Sequence, residues 1–502
     1  MATLRTTGAE IRRDRTGVAG LDDVLGGGLP KNRVYLVKGE PGAGKTTLAL
    51  QFLLEGRRAG ERVLYVTLSE TEEEIRQVAE SHGWSLEGIN LYELSTAEQT
   101  LRLQDENTLY ATADVDLKET MRVLLEEVER VKPARVVFDS MSEIRLLSQT
   151  PMRYRRQLLS LKQYFVGRAC TVLLLDDRTG DAGDELQVES LAHGVIALEQ
   201  VHLTYGADRR RLRIRKLRGS SFRSGYHDFI VKTGGLTVFP RLIAAEHRSE
   251  LLTEPLPSGM PELDELLKGG VDRSTATLLM GPAGTGKSAL ATQFACAAAQ
   301  RGEVASLFLF EERVGTLLRR AQHLGMPLDK VVADGKVRVH QIDPAELAPD
   351  EFTDLVRQAV EKHASRVVVI DSINGYFTAM PEARYLTLQM HELLAYLAER
   401  GVASIMTMAQ TGLLSGTMSS PVDLSYLADT IMLLRYFEFE GRLRKAISVL
   451  KKRSGAHEET IRAFELGRGG IHIGAPLVQM QGVLTGTPRL VRPPDPLENT
   501  TP

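Results

Sequence analysis

The chain has 502 residues, 43% hydrophobic and 25% charged, with a formal net charge of −3. That balance suits a globular protein of two or more domains, and nothing in it demands nucleic acid or an anionic membrane as a partner. No run of about 18 apolar residues occurs, so no membrane span is expected. Residues 1–15 lack the apolar core of a secretory signal, so a cytoplasmic protein is expected. Cys170 and Cys296 sit among apolar neighbours and read as small core residues.

In chain order, Thr16 to Pro30 form a glycine-rich opening that ends in Gly26-Gly27-Gly28. An apolar strand, Arg33 to Val37, follows. It runs into Gly39-Glu40-Pro41-Gly42-Ala43-Gly44-Lys45-Thr46, which fits G-x-x-x-x-G-K-[ST]. Glycines let successive backbone N–H groups converge on phosphate oxygens, and the next helix points its positive end at the same anion. Lys45 is placed to reach the outer phosphates, and the Thr46 hydroxyl to reach Mg²⁺. A second strand is expected at Arg62 to Leu68, a third at Val136 to Asp139 and a fourth at Thr171 to Leu175.

The pattern then repeats. Gly281-Pro282-Ala283-Gly284-Thr285-Gly286-Lys287-Ser288 is a second phosphate loop, at an offset of 242 from the first. The same offset pairs Gly27-Gly28 with Gly269-Gly270 and Glu70 with Glu312; downstream, Asp139 pairs with Asp371 at an offset of 232. Strands are expected at Ala276 to Met280, Ala305 to Phe310, Val367 to Asp371 and Ala403 to Thr407. Continuous apolar strands interleaved with helices predict a mostly parallel sheet covered on both faces. The last third of each half alternates strand and turn, which predicts an antiparallel extension. The fold class is therefore α/β, with two tandem phosphate-loop domains: a segment at 1–15, domains at 16–247 and 248–490, and a flexible tail at 491–502. Residues 241–257 read as the linker.

Asp139 and Asp371 end apolar strands, where a phosphate-loop protein places the carboxylate that supports Mg²⁺. Glu311 and Glu312 follow the second strand of the second half, placed to orient or deprotonate a hydroxyl beside a γ-phosphate. The first half has Ser69-Glu70 there, and Ser69 cannot act as a carboxylate base. A basic stretch, Arg209 to Arg218, recurs around Arg442, Arg444 and Lys451-Lys452-Arg453. It suits phosphate contact across a subunit boundary; nucleic-acid binding is the rival reading of the same cations.

These residues resemble the KaiC family of RecA-like ATPases, of the circadian-clock type, over nearly the whole chain. The resemblance is carried by the opening at 16–30, both loops, Ser81-His82-Gly83-Trp84, Lys216-Leu217-Arg218-Gly219, Phe310-Glu311-Glu312 and the 484–489 stretch. It implies two RecA-like domains, a homohexamer of two stacked rings, ATP at the subunit interfaces, and small KaiB-like partner proteins. It implies nucleotide contacts from Gly42, Ala43, Gly44, Lys45, Thr46, Thr47, Ser81, Lys216, Leu217, Arg218 and Ser220 in the first half. The second-half counterparts are Gly284, Thr285, Gly286, Lys287, Ser288, Ala289, Lys451, Lys452 and Arg453. Mg²⁺ would meet Thr46 and Asp139, or Ser288, Glu311 and Asp371. Lys216, Arg218, Lys451 and Arg453 would act on a neighbouring subunit. Glu311, with Glu312 and in the first half Glu70, would be catalytic. Ser425 or Tyr426 would accept a phosphoryl group from the second half, Tyr426 standing where clock proteins carry threonine. The alternative is a DNA-dependent ATPase of the RecA type; the near-neutral charge and the lack of a zinc-finger, helix-turn-helix or OB module weigh against it.

Overall fold

The computed structural model describes residues 11–94, 113–177, 189–203, 205–247, 254–378, 383–410, 425–485 and 488–490. The chain forms two compact units that divide between Arg241 and Leu242, ahead of the 247/248 boundary suggested by the sequence. Leu242 and Ala244 are buried with Phe352 and Leu397 of the second unit, and the Ala244 amide donates to Glu392 Oε2 at 3.0 Å. Pro255–Leu256, inside the stretch read as a linker, pairs antiparallel with Val271–Asp272.

Each unit is built on a nine-stranded sheet. In the first, the order is Asn90–Glu93, Val63–Thr67, Arg135–Asp139, Thr171–Asp177, Val34–Gly39 and Gly194–Val201, all parallel. Arg209–Leu217, His227–Lys232 and Gly235–Phe239 extend it antiparallel. The second unit repeats the plan, with Ala276–Gly281 between Ala403–Ala409 and Thr430–Phe439, and an antiparallel extension from Arg442–Lys452 to Gly470–Pro476. This is the tandem RecA-like α/β architecture expected from the sequence.

The central parallel strands are largely apolar on both faces because both faces are covered. Tyr35, Val37, Tyr65 and Val137 point to one side, into a core with Leu48 and Phe52 of the helix Lys45–Arg58. Val34, Leu36, Leu64, Val66 and Phe138 point to the other, against Leu117, Leu124, Leu158 and Leu161 of two further helices. Successive strand residues alternate faces, so both must be apolar when helices lie on each side. Both cysteines are free and buried, as their surroundings suggested. Among the described residues no helix is long and apolar enough to cross a membrane.

The glycine-rich openings have a steric cause. Gly28 and Gly270 adopt φ of +116° and +119°, and a Cβ on either would lie 2.3 Å from a backbone oxygen, Asp14 O or Leu256 O respectively. These close approaches hold the short ribbons Arg13–Asp14 with Leu29–Pro30 and Pro255–Leu256 with Val271–Asp272. Gly60 also has a positive φ, +75°, but a Cβ there meets nothing within 4 Å. Gly28→Ala and Gly270→Ala should each destabilise their unit by about 2–4 kcal/mol, strain plus collision, whereas Gly60→Ala should cost about 1 kcal/mol from strain alone. Urea unfolding of the three variants checks the difference.

Candidate nucleotide site

A parallel sheet delivers the carboxyl ends of its strands to one edge, so loops that follow them converge there. In the first unit that edge carries the loop 39–46 and the ends of the strands that finish in Thr67, Asp139 and Asp177. The helix after the loop begins at Lys45, with Gly44 in the left-handed region at φ 97°; Gly286, at φ 112°, does the same before Lys287. Lys45 Nζ donates to Gly39 O at 3.0 Å and Glu40 O at 2.9 Å. Lys287 Nζ donates to Gly281 O and Pro282 O, both at 2.8 Å. Each ammonium is thereby folded over its own loop, above the converging backbone N–H groups.

Thr46 Oγ1 donates to Asp139 Oδ2 at 3.0 Å, and the Tyr65 hydroxyl makes a short hydrogen bond to the same oxygen. Burial pushes the Asp139 carboxyl above its usual range, against those two donors. Asp371 is likewise buried and accepts a short hydrogen bond from Thr407. Glu311 Oε1 accepts from Ser372 Oγ at 2.9 Å, next to Asp371. Glu312 turns away to pair with Arg320 at 2.7 Å. Glu70 holds Thr67 through its backbone, its N–H donating to Thr67 Oγ1 at 3.0 Å. Its Oε2 is buried with no hydrogen-bond partner. Burial, then Asp139, raises its pKa.

A cavity of about 340 Å³ opens over the second loop, lined by Gly284, Gly286, Lys287, Ser288, Arg320 and His323. Its volume falls in the range of small-ligand sites. A glycine cradle, a lysine, a hydroxyl and a strand-end aspartate make a donor set that fits Mg²⁺ with a nucleotide. Mg²⁺ in such sites takes one or two protein ligands and fills the rest with water and phosphate. Among the described residues no group of three or more His, Cys, Asp or Glu side chains is placed to hold a metal ion by itself.

The expected trans-acting cations do not engage the loop of their own half. Lys216 Nζ donates to Glu189 O at 2.8 Å and Ser190 O at 3.0 Å, and Arg218 to Ser190 O at 2.8 Å. Lys451 Nζ donates to Ser425 O at 3.0 Å and Ala428 O at 2.7 Å, and Arg453 to Tyr426 O at 2.9 Å. The arrangement is the same in both halves, and in the second it grips the backbone of the suggested acceptor segment. Asp423 and Leu424, which open that segment, lie outside the described residues. Lys452 points the other way, onto Leu267 O at 2.8 Å and Gly270 O at 3.1 Å, and its place is in the glycine turn. Leu217 is core. Ser81 donates to Val78 O at 2.7 Å, and Ser220 meets Arg13. Thr47 lies 3.4 Å from His82 Nε2.

The family model described as "ATPase: KaiC" matches residues 15–243 and again 256–478. The chain belongs to the KaiC ATPase family. It is 27% identical over 95% of its length to the circadian clock protein KaiC3 of a Synechocystis species, covering 95% of that protein. It is 26% identical to the circadian clock oscillator protein KaiC of Thermostichus vulcanus, over 96% of this chain and 92% of the other. The corresponding protein of Prochlorococcus marinus is also 26% identical, over 96% of each chain.

Within this KaiC-family chain, reading the residues in sequence overlooked two groups. Arg320 and His323 line the cavity; the offset of 242 that pairs the loops would have led from Ser81 to His323. Asp177 pairs with Lys45 at 2.7 Å. The apolar run at 171–175 stops just short of it.

Glu70 bears on stability as well. Its folded-state pKa lies above the unfolded value, so near neutral pH its ionised carboxylate opposes folding. Partial exposure screens the effect. Glu70→Gln should stabilise the first unit by about 0.5–1 kcal/mol at pH 7, and this advantage should shrink as pH falls through the Glu70 pKa. Chemical denaturation at several pH values measures it.

Proposed function

We propose that this KaiC-family ATPase binds Mg-ATP at both phosphate loops, assembles as a homohexamer of two stacked rings with nucleotide at the subunit interfaces, and phosphorylates Ser425 through its second half. The observation that carries the nucleotide reading is the second site: Lys287 and Ser288 on the loop, Asp371 buried at the strand end and Glu311 held by Ser372, beside a cavity of about 340 Å³. The residues divide the work. Loop amides and the two lysines bind phosphate, while Thr46 with Asp139, and Ser288 with Asp371, would hold Mg²⁺, which supplies charge neutralisation when bound. Glu311, fixed by Ser372, is the base. It would take the proton from water in hydrolysis or from the Ser425 hydroxyl in phosphorylation, as the oxygen–phosphorus bond forms and ADP leaves.

Interface placement of ATP is supported by the direction of Lys216, Arg218, Lys451 and Arg453, whose hydrogen bonds lie away from their own loops. A cation from a neighbour offsets transition-state charge, the role of an arginine finger. The same contacts tie Lys451 and Arg453 to Ser425 and Tyr426, so the acceptor segment and the trans-acting cations move as one piece. Tyr426 is 55% exposed, and its phenol would overshoot a γ-phosphate set for a shorter hydroxyl; Ser425 is the principal acceptor. A KaiB-like protein is the partner expected of such a ring.

Glu311→Gln should lower ATP hydrolysis at the second site by about 10²–10⁴, removing most of the chain's turnover, and abolish phosphate incorporation, while Glu70→Gln should cost less. Hydrolysis assays and phosphopeptide mapping after incubation with Mg-ATP check both. Greater loss from Glu70→Gln would reassign the base, phosphate on Tyr426 alone would refute the acceptor geometry, and strong stimulation by single-stranded DNA would favour the DNA-dependent reading.

A further inference from the structure

The two loop lysines are held differently. A lysine has three donors, and all three of Lys45 are engaged: Gly39 O at 3.0 Å, Glu40 O at 2.9 Å and Asp177 Oδ1 at 2.7 Å. Asp177 ends the strand Thr171–Asp177 and stands in register with Gly39. It is fixed in turn by Ser142, whose Oγ donates to Asp177 Oδ2 at 3.0 Å and accepts from the Asp177 amide at 3.2 Å. Burial pushes the Asp177 carboxyl up, but Lys45 and the serines outweigh it and the net shift is downward, so the group is ionised at neutral pH.

Lys287 makes its two hydrogen bonds to the carbonyls of Gly281 and Pro282. The residue in register with Gly281 is Ala409. Its backbone is held on both sides by Asn374, Nδ2 donating to Ala409 O at 3.1 Å and Oδ1 accepting from Ala409 N at 2.7 Å. Asn374 and Ala409 follow Ser142 and Asp177 by the same offset of 232 that relates Asp371 to Asp139. The scaffold is thus conserved between the halves, and a methyl group stands where the first half has a carboxylate.

We propose that Asp177 is a positioning residue of the first nucleotide site: an internal anion that holds the third donor of Lys45 and that a nucleotide phosphate must displace in order to bind. This rests on the reading of the loop as a nucleotide site. At the position of Asp177 the second half carries Ala409, so among the described residues no carboxylate stands in register with Gly281 beside Lys287, and the two halves of one chain are tuned to different nucleotide affinities by one side chain.

The test is equilibrium binding of a fluorescent Mg-ADP analogue to the full chain carrying Lys287→Ala, so that only the first loop is read. Adding Asp177→Asn should tighten binding about tenfold, because the fraction of Lys45 available to phosphate rises. The reciprocal variant guards against misfolding: Ala409→Asp in a Lys45→Ala chain should weaken binding at the second loop about tenfold. Unchanged or weaker binding by Asp177→Asn, with the Lys287→Ala parent binding normally, would overturn the latch. Failure of that parent to bind any nucleotide would overturn the reading of the first loop, and the latch with it.

Discussion

Everything about the site follows from where the phosphate-loop strand lies. Val34–Gly39 and Ala276–Gly281 run between parallel neighbours, so the loop that follows each opens at the edge of the sheet where the adjacent strands also end. Asp139 and Asp177 reach the first loop because their strands are parallel to it and end at that edge. A reversed strand would send its terminal carboxylate to the opposite side. The price of the arrangement is burial on both faces, and the sequence meets it with strands that are apolar at consecutive positions.

The two halves keep this geometry while differing in charge. Lys38 of the first loop strand is 3% exposed and pairs with Glu189 at 3.4 Å; the offset of 242 places Met280 at its counterpart. Asp176 is fully buried, makes a short ion pair with Arg145, and is pushed up by burial to about 6; Met408 is its counterpart at the offset of 232. Buried pairs of this kind add little stability over apolar residues of similar size. The first half therefore carries charges close to its nucleotide loop that the fold itself does not require, as the second half demonstrates with methionine.

Much of this was legible in the sequence because the signals are local. A phosphate loop between an apolar strand and a helix is contiguous, and internal offsets of 242 through the loops and 232 downstream relate one half to the other. Asp139 and Asp371 could be found because they end the apolar runs at 136–139 and 367–371. What escaped depends on register. The four apolar residues before Asp176-Asp177 gave no sign that the strand continues through both aspartates, which follows only from its pairing with Lys38 and Gly39. Lys452 looked equivalent to Lys451 and Arg453, but successive strand residues face opposite sides, and it joins the glycine turn instead. The arginines at 209–215 read in sequence as a basic stretch suited to phosphate contact. They lie on a strand with neighbours on both sides, Arg211 and Arg213 pairing with Glu199 and stacking on Tyr226.

The central claim is that one chain carries two independent nucleotide sites, each dependent on its own loop lysine. Calorimetric titration with a non-hydrolysable Mg-ATP analogue tests it most directly. The account predicts two nucleotides per chain for the unmodified protein, one each for Lys45→Ala and Lys287→Ala, and none when both changes are combined. Full occupancy of both sites in either single variant, or binding that survives the double change, would contradict it.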